Sequence, residues 1–270
     1  MASDTCMASR EMGLSGRAIL ITRPSGRADD LCAAIAAQGG EPVHIPMLAV
    51  AALDARCDAA IIAKTRAQIA ALASYRRVIG ISVNAVHYGL QWILGQHAAN
   101  ALPGHIAWYG IGAATIAEFA QADIVARGGG NAMSSEALLS LPELQAVAGE
   151  KILILRGIGG RETLAARLRE RGAQVEYAEC YRRVAPQLSA QQQQLLQEQA
   201  FAAICVNSGE TLHNLASLAP RAALAQLQQS TVIVPSARVA QEAAALDFTR
   251  VIVAANAGTT ATLQALTQIE

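Results

Sequence analysis

Short apolar runs rich in β-branched residues alternate along this chain with stretches in which apolar positions recur at i and i+4. "ILIT" from Ile19 and "ILIL" from Ile152 carry the first pattern and predict buried strands. The stretches that follow, "DDLCAAIAAQGG" and "ETLAARLRERGA", carry the second and predict helices, each closed by a glycine. Asp29 and Asp30 in one helix, and Glu162 in the other, fall in the first turn and complement its dipole. At an offset of 133 the two segments match: Ile19, Ile21, Arg23, Gly26, Leu31, Ile35 and Gly39 meet Ile152, Ile154, Arg156, Gly159, Leu164, Leu168 and Gly172. A second pair of segments, from Val78 and from Ala203, places Ser82 opposite Ser208 at an offset of 126. At that same offset the segments from His105 and Thr231 place Gly110 opposite Ser236. Later strands are expected at Asp123–Ala126 and Arg250–Ala254. Repeated strand–loop–helix order predicts an internally duplicated α/β protein, its sheets mostly parallel and flanked by helices.

In such sheets the loops leaving the carboxyl ends of the strands line the binding crevice. Here they are Thr22–Arg27, Ser82–Asn84, Gly110–Thr115, Arg156–Arg161, Ser208–Thr211 and Ser236–Arg238, rich in Gly, Ser, Thr, Asn and Arg and free of histidine. Such residues offer hydrogen-bond donors to an anionic ligand at helix N-termini. They also serve simply as helix caps. "RGIGGRE" approaches the dinucleotide fingerprint G-x-G-x-x-G: Gly157 and Gly159 fill two of its positions, but Glu162 occupies the third. A carboxylate at that position speaks against a nucleotide site.

Composition narrows the classes. The 270 residues suffice for two domains, and 53% hydrophobic with 4% aromatic implies an aliphatic core. A formal net charge of zero argues against a nucleic-acid binder relying on its overall field. Among 21 basic residues only Lys64 and Lys151 are lysines, a bias that suits bidentate capture of carboxylates or phosphates. Cys6, Cys32, Cys57, Cys180 and Cys205 are odd in number and scattered, which predicts reduced thiols, the cytoplasm, and no metal site. The N-terminus lacks an apolar signal core and is expected to be a disordered lead-in, and no apolar run is long enough to span a membrane. The five histidines pair with no cysteine or carboxylate at a useful spacing.

"VEYAECYRRVAP", Val175–Pro186, reads as a strand carrying Tyr177 and Tyr181 and then Arg182 and Arg183. An ordinary tyrosine titrates near pH ~10, so at neutral pH it donates a proton or a hydrogen bond. Its bland role is that of a β-forming residue in a linker strand.

Together "ILITRPSG", "GGEPVHIPML", "SVNAV", "YGIGAAT", "ILILRGIGGRETLAARLRERGAQVEYAECYRR", "NSGETLHNL" and "PSARVAQEA" resemble the uroporphyrinogen-III synthase family in order and spacing, from about Ala18 to the C-terminus. The resemblance implies two Rossmann/flavodoxin-like α/β domains joined by a two-stranded connector, with an interdomain cleft. Residues 1–17 would be the lead-in, 18–47 plus 186–270 a discontinuous domain, and 48–185 the second, with connector strands near Pro46–Ala51 and Cys180–Val184. It also implies a hydro-lyase that uses neither cofactor nor metal. Its substrate would be hydroxymethylbilane, a linear tetrapyrrole with eight carboxylates, which loses water, inverts ring D through a spiro intermediate and closes to uroporphyrinogen III. No nucleic acid or membrane partner is implied, and a monomer is the default.

By the same resemblance Tyr181 falls beside the substrate cleft, where it is expected to help the terminal hydroxyl leave by hydrogen bonding or proton donation. Ser82, Asn84, Thr115, Ser208 and Ser236, with Gly112 in the same loop as Thr115, match positions that bind substrate carboxylates. Arg23 and Arg156 are repeat-related and suit either ligand binding or structure. Ile81 and Asn207 stand where the family often has threonine, which weakens hydroxyl-mediated contacts there. The rival classes are a Rossmann-like nucleotide-binding enzyme and a two-domain ligand-binding module without turnover.

Overall fold

The computed structural model describes residues 13–97, 102–129 and 134–269. Most of the expected lead-in, 1–12, lies outside them. Residues 13–16 form a turn, and Leu14 is buried in a core cluster with Ile19, Leu31 and Ile35. This short stretch is therefore pinned by hydrophobic burial and by the Gly16 N–H bonded to the Gly39 carbonyl (2.9 Å).

The chain divides into two compact units, Met1–Ala49 with Val184–Glu270, and Val50–Arg183. In the first, β1 (Ala18–Ile21), β2 (Glu41–His44), β9 (Ala203–Cys205), β10 (Thr231–Val234) and β11 (Arg250–Val253) form a parallel sheet in the order β11-β10-β9-β1-β2. In the second, β4 (Arg77–Gly80), β5 (Ala107–Gly110), β6 (Ala126–Arg127), β7 (Lys151–Gly157) and β8 (Gln174–Val184) are parallel in the order β8-β7-β4-β5-β6. A further strand, β3 (Ala49–Ala52), lies beyond β8.

These two orders are one topology used twice. β1 and β2 stand where β7 and β8 stand, and β9, β10 and β11 stand where β4, β5 and β6 stand. Even the register repeats: Ala18 pairs with Glu41, and Lys151 with Gln174, 133 residues further on in both strands. The βαβ piece comes first in one unit and last in the other, so the two are circular permutations of each other. One expected correspondence is corrected. Arg77 pairs with Ala107 but Ala203 with Thr231, so the crossover in the first unit is two residues shorter. Gly112, not Gly110, is therefore the counterpart of Ser236, and each precedes a helix. The strand expected at Asp123–Ala126 is also shortened, because Asp123 adopts φ 57° and cannot continue an extended strand. Asp247 takes φ 63° at the corresponding place before β11.

Helices cover both faces of each sheet. In the second unit α3 (Val83–Leu94) and α4 (Ala113–Ala120) lie over one face, where Val86, Ile93 and Phe119 pack with Val78 and Leu153. α5 (Ser135–Leu139) and α6 (Thr163–Glu170) cover the other, where Leu138, Leu164 and Leu168 pack with Ile79 and Ile154. In the first unit α8 (Gly209–Leu218) and α10 (Ala237–Ala245) oppose α1 (Asp29–Ala37) and α11 (Thr259–Leu266) in the same way. Each sheet thus has a point where neighbouring strands send their helices to opposite faces, β4 beside β7 and β9 beside β1. A crevice opens at the carboxyl ends of such a pair.

α2 (Ala59–Ala70) closes the β8 side of the second unit. There the Tyr75 hydroxyl donates to Glu176 at 2.7 Å and the Gln68 amide donates at 3.0 Å. The Tyr75 bond holds the Glu176 carboxyl below its ordinary range, while burial, with Glu176 beside it, raises the Tyr75 phenol. The depressed carboxyl contributes stability above its unfolded pKa of about 4.3 and loses it as pH falls through the lower folded value. The raised phenol contributes below about pH 10 and loses its contribution as pH rises beyond that. Tyr75→Phe is expected to lower unfolding free energy by about 1 kcal/mol near pH 7. In urea melts that gap narrows below about pH 4, as the carboxylate protonates; a pH-independent gap would show that packing, not this bond, is lost.

Candidate active site

At the carboxyl edge of the second unit the loops after β4, β5 and β7 and the end of β8 come together in strand order. Ser82 is the N-cap of α3, and its hydroxyl accepts from the Ala85 N–H at 3.2 Å. Asn84 is exposed in the first turn. Gly112 starts α4 at φ 83°, a left-handed conformation that glycine adopts without strain. Among the described residues no side chain caps α4, so the Ala113 and Ala114 N–H groups stay free for an outside acceptor. Thr115 is buried one turn in.

The first unit repeats this division of labour. Ser208 caps α8 in a reciprocal box with Thr211, and Thr211 also donates to Asn207. Ser236 starts α10, but its hydroxyl makes no capping bond. In both units, then, the helix after the central strand is capped from within, and the helix after the next strand is left open. The Ser82 and Ser208 oxygens each accept from their own helix, and the hydroxyl protons can still donate. Among the described residues of these loops, the first N–H groups of α4 and α10 and the Ser236 hydroxyl carry no capping bond and can meet a carboxylate.

The two repeat-related arginines both donate within the protein, Arg23 to the start of α11 and Arg156 within its own loop. Arg23 is 8% exposed and donates to Thr259 (3.0 Å), the Ala257 carbonyl (2.9 Å) and Thr262 (3.3 Å). Burial lowers its pKa. It ties the start of α11 to β1, and His44 Nε2 donates to its carbonyl at 2.8 Å. Arg23→Met is expected to cost about 2–3 kcal/mol of stability through lost charge-assisted hydrogen bonds. KM should stay within about twofold, and a large KM rise in a still-folded variant would instead place Arg23 on the substrate.

Arg156 is 2% exposed; it donates to Glu162 (2.8 Å) and to the Gly159 carbonyl, and lies 4.3 Å from the Tyr177 ring centre. Tyr177 in turn donates to Glu162, the bond that contributes most to holding that carboxyl below its usual range. Two glycines of this loop, Gly157 and Gly160, make room for the chain's own side chains, while Gly159 serves the turn through its φ of 70°. A Cβ on Gly160 would meet the Arg156 guanidinium at 2.9 Å, and one on Gly157 would meet the Tyr181 ring at 2.6 Å. With Arg156 filling the turn and Glu162 placing a carboxylate at the start of α6, the loop is closed to a pyrophosphate. The nucleotide-binding alternative loses its site.

Tyr181 reaches its place through an irregularity that the sequence did not announce. Arg156 faces Glu179 across β7 and β8, but Gly157 faces Tyr181, so β8 carries an extra residue at this step. In a regular strand Tyr177 and Tyr181 would share a face. The bulge reverses that. Val175 and Tyr177 pack on the α6 side, whereas Ala178, Cys180 and Tyr181 all pack on the α3 side. There the Tyr181 ring is 6% exposed and stacks on Tyr88 of α3, with centroids 5.5 Å apart and planes 30° apart. The Tyr181 backbone carbonyl accepts from Ile158 N–H (2.9 Å). Among the described residues its hydroxyl has no hydrogen-bond partner.

The family model described as Uroporphyrinogen-III synthase HemD matches residues 29–264. The chain belongs to the uroporphyrinogen-III synthase family. It is 42% identical over 134 residues to the uroporphyrinogen-III synthase of Salmonella typhimurium, a match spanning 49% of this chain and 54% of that protein. It is 35% identical over 167 residues to the uroporphyrinogen-III synthase of Proteus mirabilis, spanning 62% and 80%. The chain thus spans about half the length of the first relative and four-fifths of the second. The crystal structure of uroporphyrinogen-III synthetase from Helicobacter pylori shares its fold, with a TM-score of 0.54, 12% identity, and coverage of 92% of this chain and 97% of the other.

In this family member the described residues contain no group of three or more His, Cys, Asp or Glu side chains arranged to hold a metal ion. No described helix is long and apolar enough to cross a membrane. Cys32, Cys57, Cys180 and Cys205 are free thiols. Tyr88 and the residue-180 bulge escaped the sequence reading, since neither stacking across elements nor a register shift leaves a periodic signal. Gly157 was visible there, but as part of an imperfect nucleotide motif.

Proposed function

We propose that this chain is a uroporphyrinogen-III synthase, a hydro-lyase that converts hydroxymethylbilane to uroporphyrinogen III as a cytoplasmic monomer. The observation that carries this reading is Tyr181: in a chain of this family, a bulge sets a buried phenol with an unspent hydroxyl at the carboxyl edge of the sheet. The open N-termini of α4 and α10, each in its own unit, are the places for substrate carboxylates. Such donors let a chain of zero net charge hold a polyanion without a basic surface.

Expelling hydroxide from the linear substrate leaves an electron-deficient methylene conjugated to its pyrrole. A hydrogen bond or proton from Tyr181 to the departing oxygen lets it leave as water, and the proton released when the closed ring regains aromaticity restores the balance. The remaining task is conformational. The free substrate closes spontaneously without inverting ring D, so the protein must hold that ring with the inverted closure nearer its transition state. The direct test follows hydroxymethylbilane, generated in situ, to porphyrinogen. The reading requires a rate above the spontaneous one that scales with protein. Saturable binding of the substrate with no rate enhancement would favour a binding module.

A further inference from the structure

Resting on that reading of Tyr181, we propose that Tyr88 is a positioning residue that, with Gly157 and the bulge at Cys180, clamps the Tyr181 ring and aims its hydroxyl. Each part has its own observation. The bulge turns Tyr181 from the face that holds Tyr177 to the face covered by α3. Gly157 faces it across the ladder and supplies the room, since a Cβ there would meet the ring at three atoms, 2.6, 2.7 and 3.1 Å away. Its φ is not in the left-handed region, so space and not backbone conformation demands glycine. Tyr88 lies stacked on the ring from α3. The Trp92 indole N–H, one turn further along α3, donates to the Cys180 carbonyl at 3.3 Å and ties the bulge to the same helix.

A phenol held by backbone, ring and bulge keeps its hydroxyl in one direction without spending it on a hydrogen bond, so the donor is free when the substrate's leaving oxygen arrives. Tyr88 does not need its own hydroxyl for this role. It needs only a flat ring.

The experiment measures kcat and KM for Tyr88→Leu and Tyr88→Phe, in the native chain and in a Tyr181→Phe background. Tyr88→Leu is expected to lower kcat about 10-fold with KM within about twofold, and Tyr88→Phe to restore it. In the Tyr181→Phe background the leucine change should add less than about twofold, because the hydroxyl it serves is gone. An undiminished loss in that background overturns the clamp, since Tyr88 would then act independently of Tyr181. So does a Tyr88→Leu variant with native kcat. If Tyr181→Phe alone matches the native chain, the Tyr181 assignment itself fails and takes the clamp with it, and that single variant tells the two failures apart. A readout independent of activity comes from ring-labelled tyrosine NMR. Tyr88→Leu should move the Tyr181 ring resonances, assigned by their loss in Tyr181→Phe, and unmoved resonances overturn the stack even in a variant too unstable to assay.

Discussion

Tyr181→Phe is expected to turn over hydroxymethylbilane roughly 10- to 100-fold more slowly than the native chain, the usual contribution of one general acid or hydrogen-bond donor. The substitution keeps the ring, and with it the contact to Gly157 and the stack on Tyr88. Only the hydroxyl is lost, and among the described residues it bonds to nothing in the folded chain. Thermal stability should therefore stay near the native value while kcat falls and KM changes little. Unchanged turnover, measured with fresh substrate to limit spontaneous closure, would remove Tyr181 from the chemistry. A matching loss of stability would make its role structural.

The largest expected stability effect lies under α4. Phe119 is fully buried, meets Trp108 edge to face with centroids 5.6 Å apart, and sits over Gly80 at the end of β4. A Cβ on Gly80 would meet its ring at 3.0 Å, so strand and helix are fitted to each other there. Truncating such a residue removes its transfer free energy and leaves a cavity that the parallel sheet beneath cannot collapse to fill. Phe119→Ala should cost about 3–5 kcal/mol, a large part of the ~5–15 kcal/mol that holds an ordinary domain together. Urea denaturation with an unchanged m-value measures it. Since α4 has eight residues and an uncapped start, its loosening should also disperse the N–H groups assigned to a substrate carboxylate, raising KM in any fraction that stays folded. A cost below about 1 kcal/mol would show that this contact does not anchor the helix.

Much of the fold was legible because it rests on periodicity. Strands such as Ile19–Ile21 and Ile152–Leu155, and helices with apolar residues at i and i+4, announce themselves locally, and the offset of 133 survives in the strand register itself. The offset of 126 held through Ser82 and Ser208 and then slipped by two residues, because a shortened crossover leaves no mark in alanine-rich sequence. That the first βαβ piece belongs with the last third of the chain is a long-range fact, and local pattern could not separate it from two tandem halves. The site was legible in kind, as loops of Ser, Thr, Gly and Arg at strand ends, but not in detail. Which serine caps its helix and which stays free, whether an arginine reaches outward or folds into its own turn, and which face a tyrosine takes past a bulge are all decided by packing. Arg23 and Arg156 look alike in sequence to ligand-binding arginines, yet the terminal guanidinium nitrogens of both donate within the chain.

The measurement that bears most directly on this account is the isomer composition of the product. Hydroxymethylbilane generated in situ, incubated with the folded protein and oxidised, is separated into uroporphyrins I and III. The account predicts isomer III, increasing in proportion to protein until it displaces the spontaneous isomer. Isomer I alone, at the rate seen without protein, would contradict it.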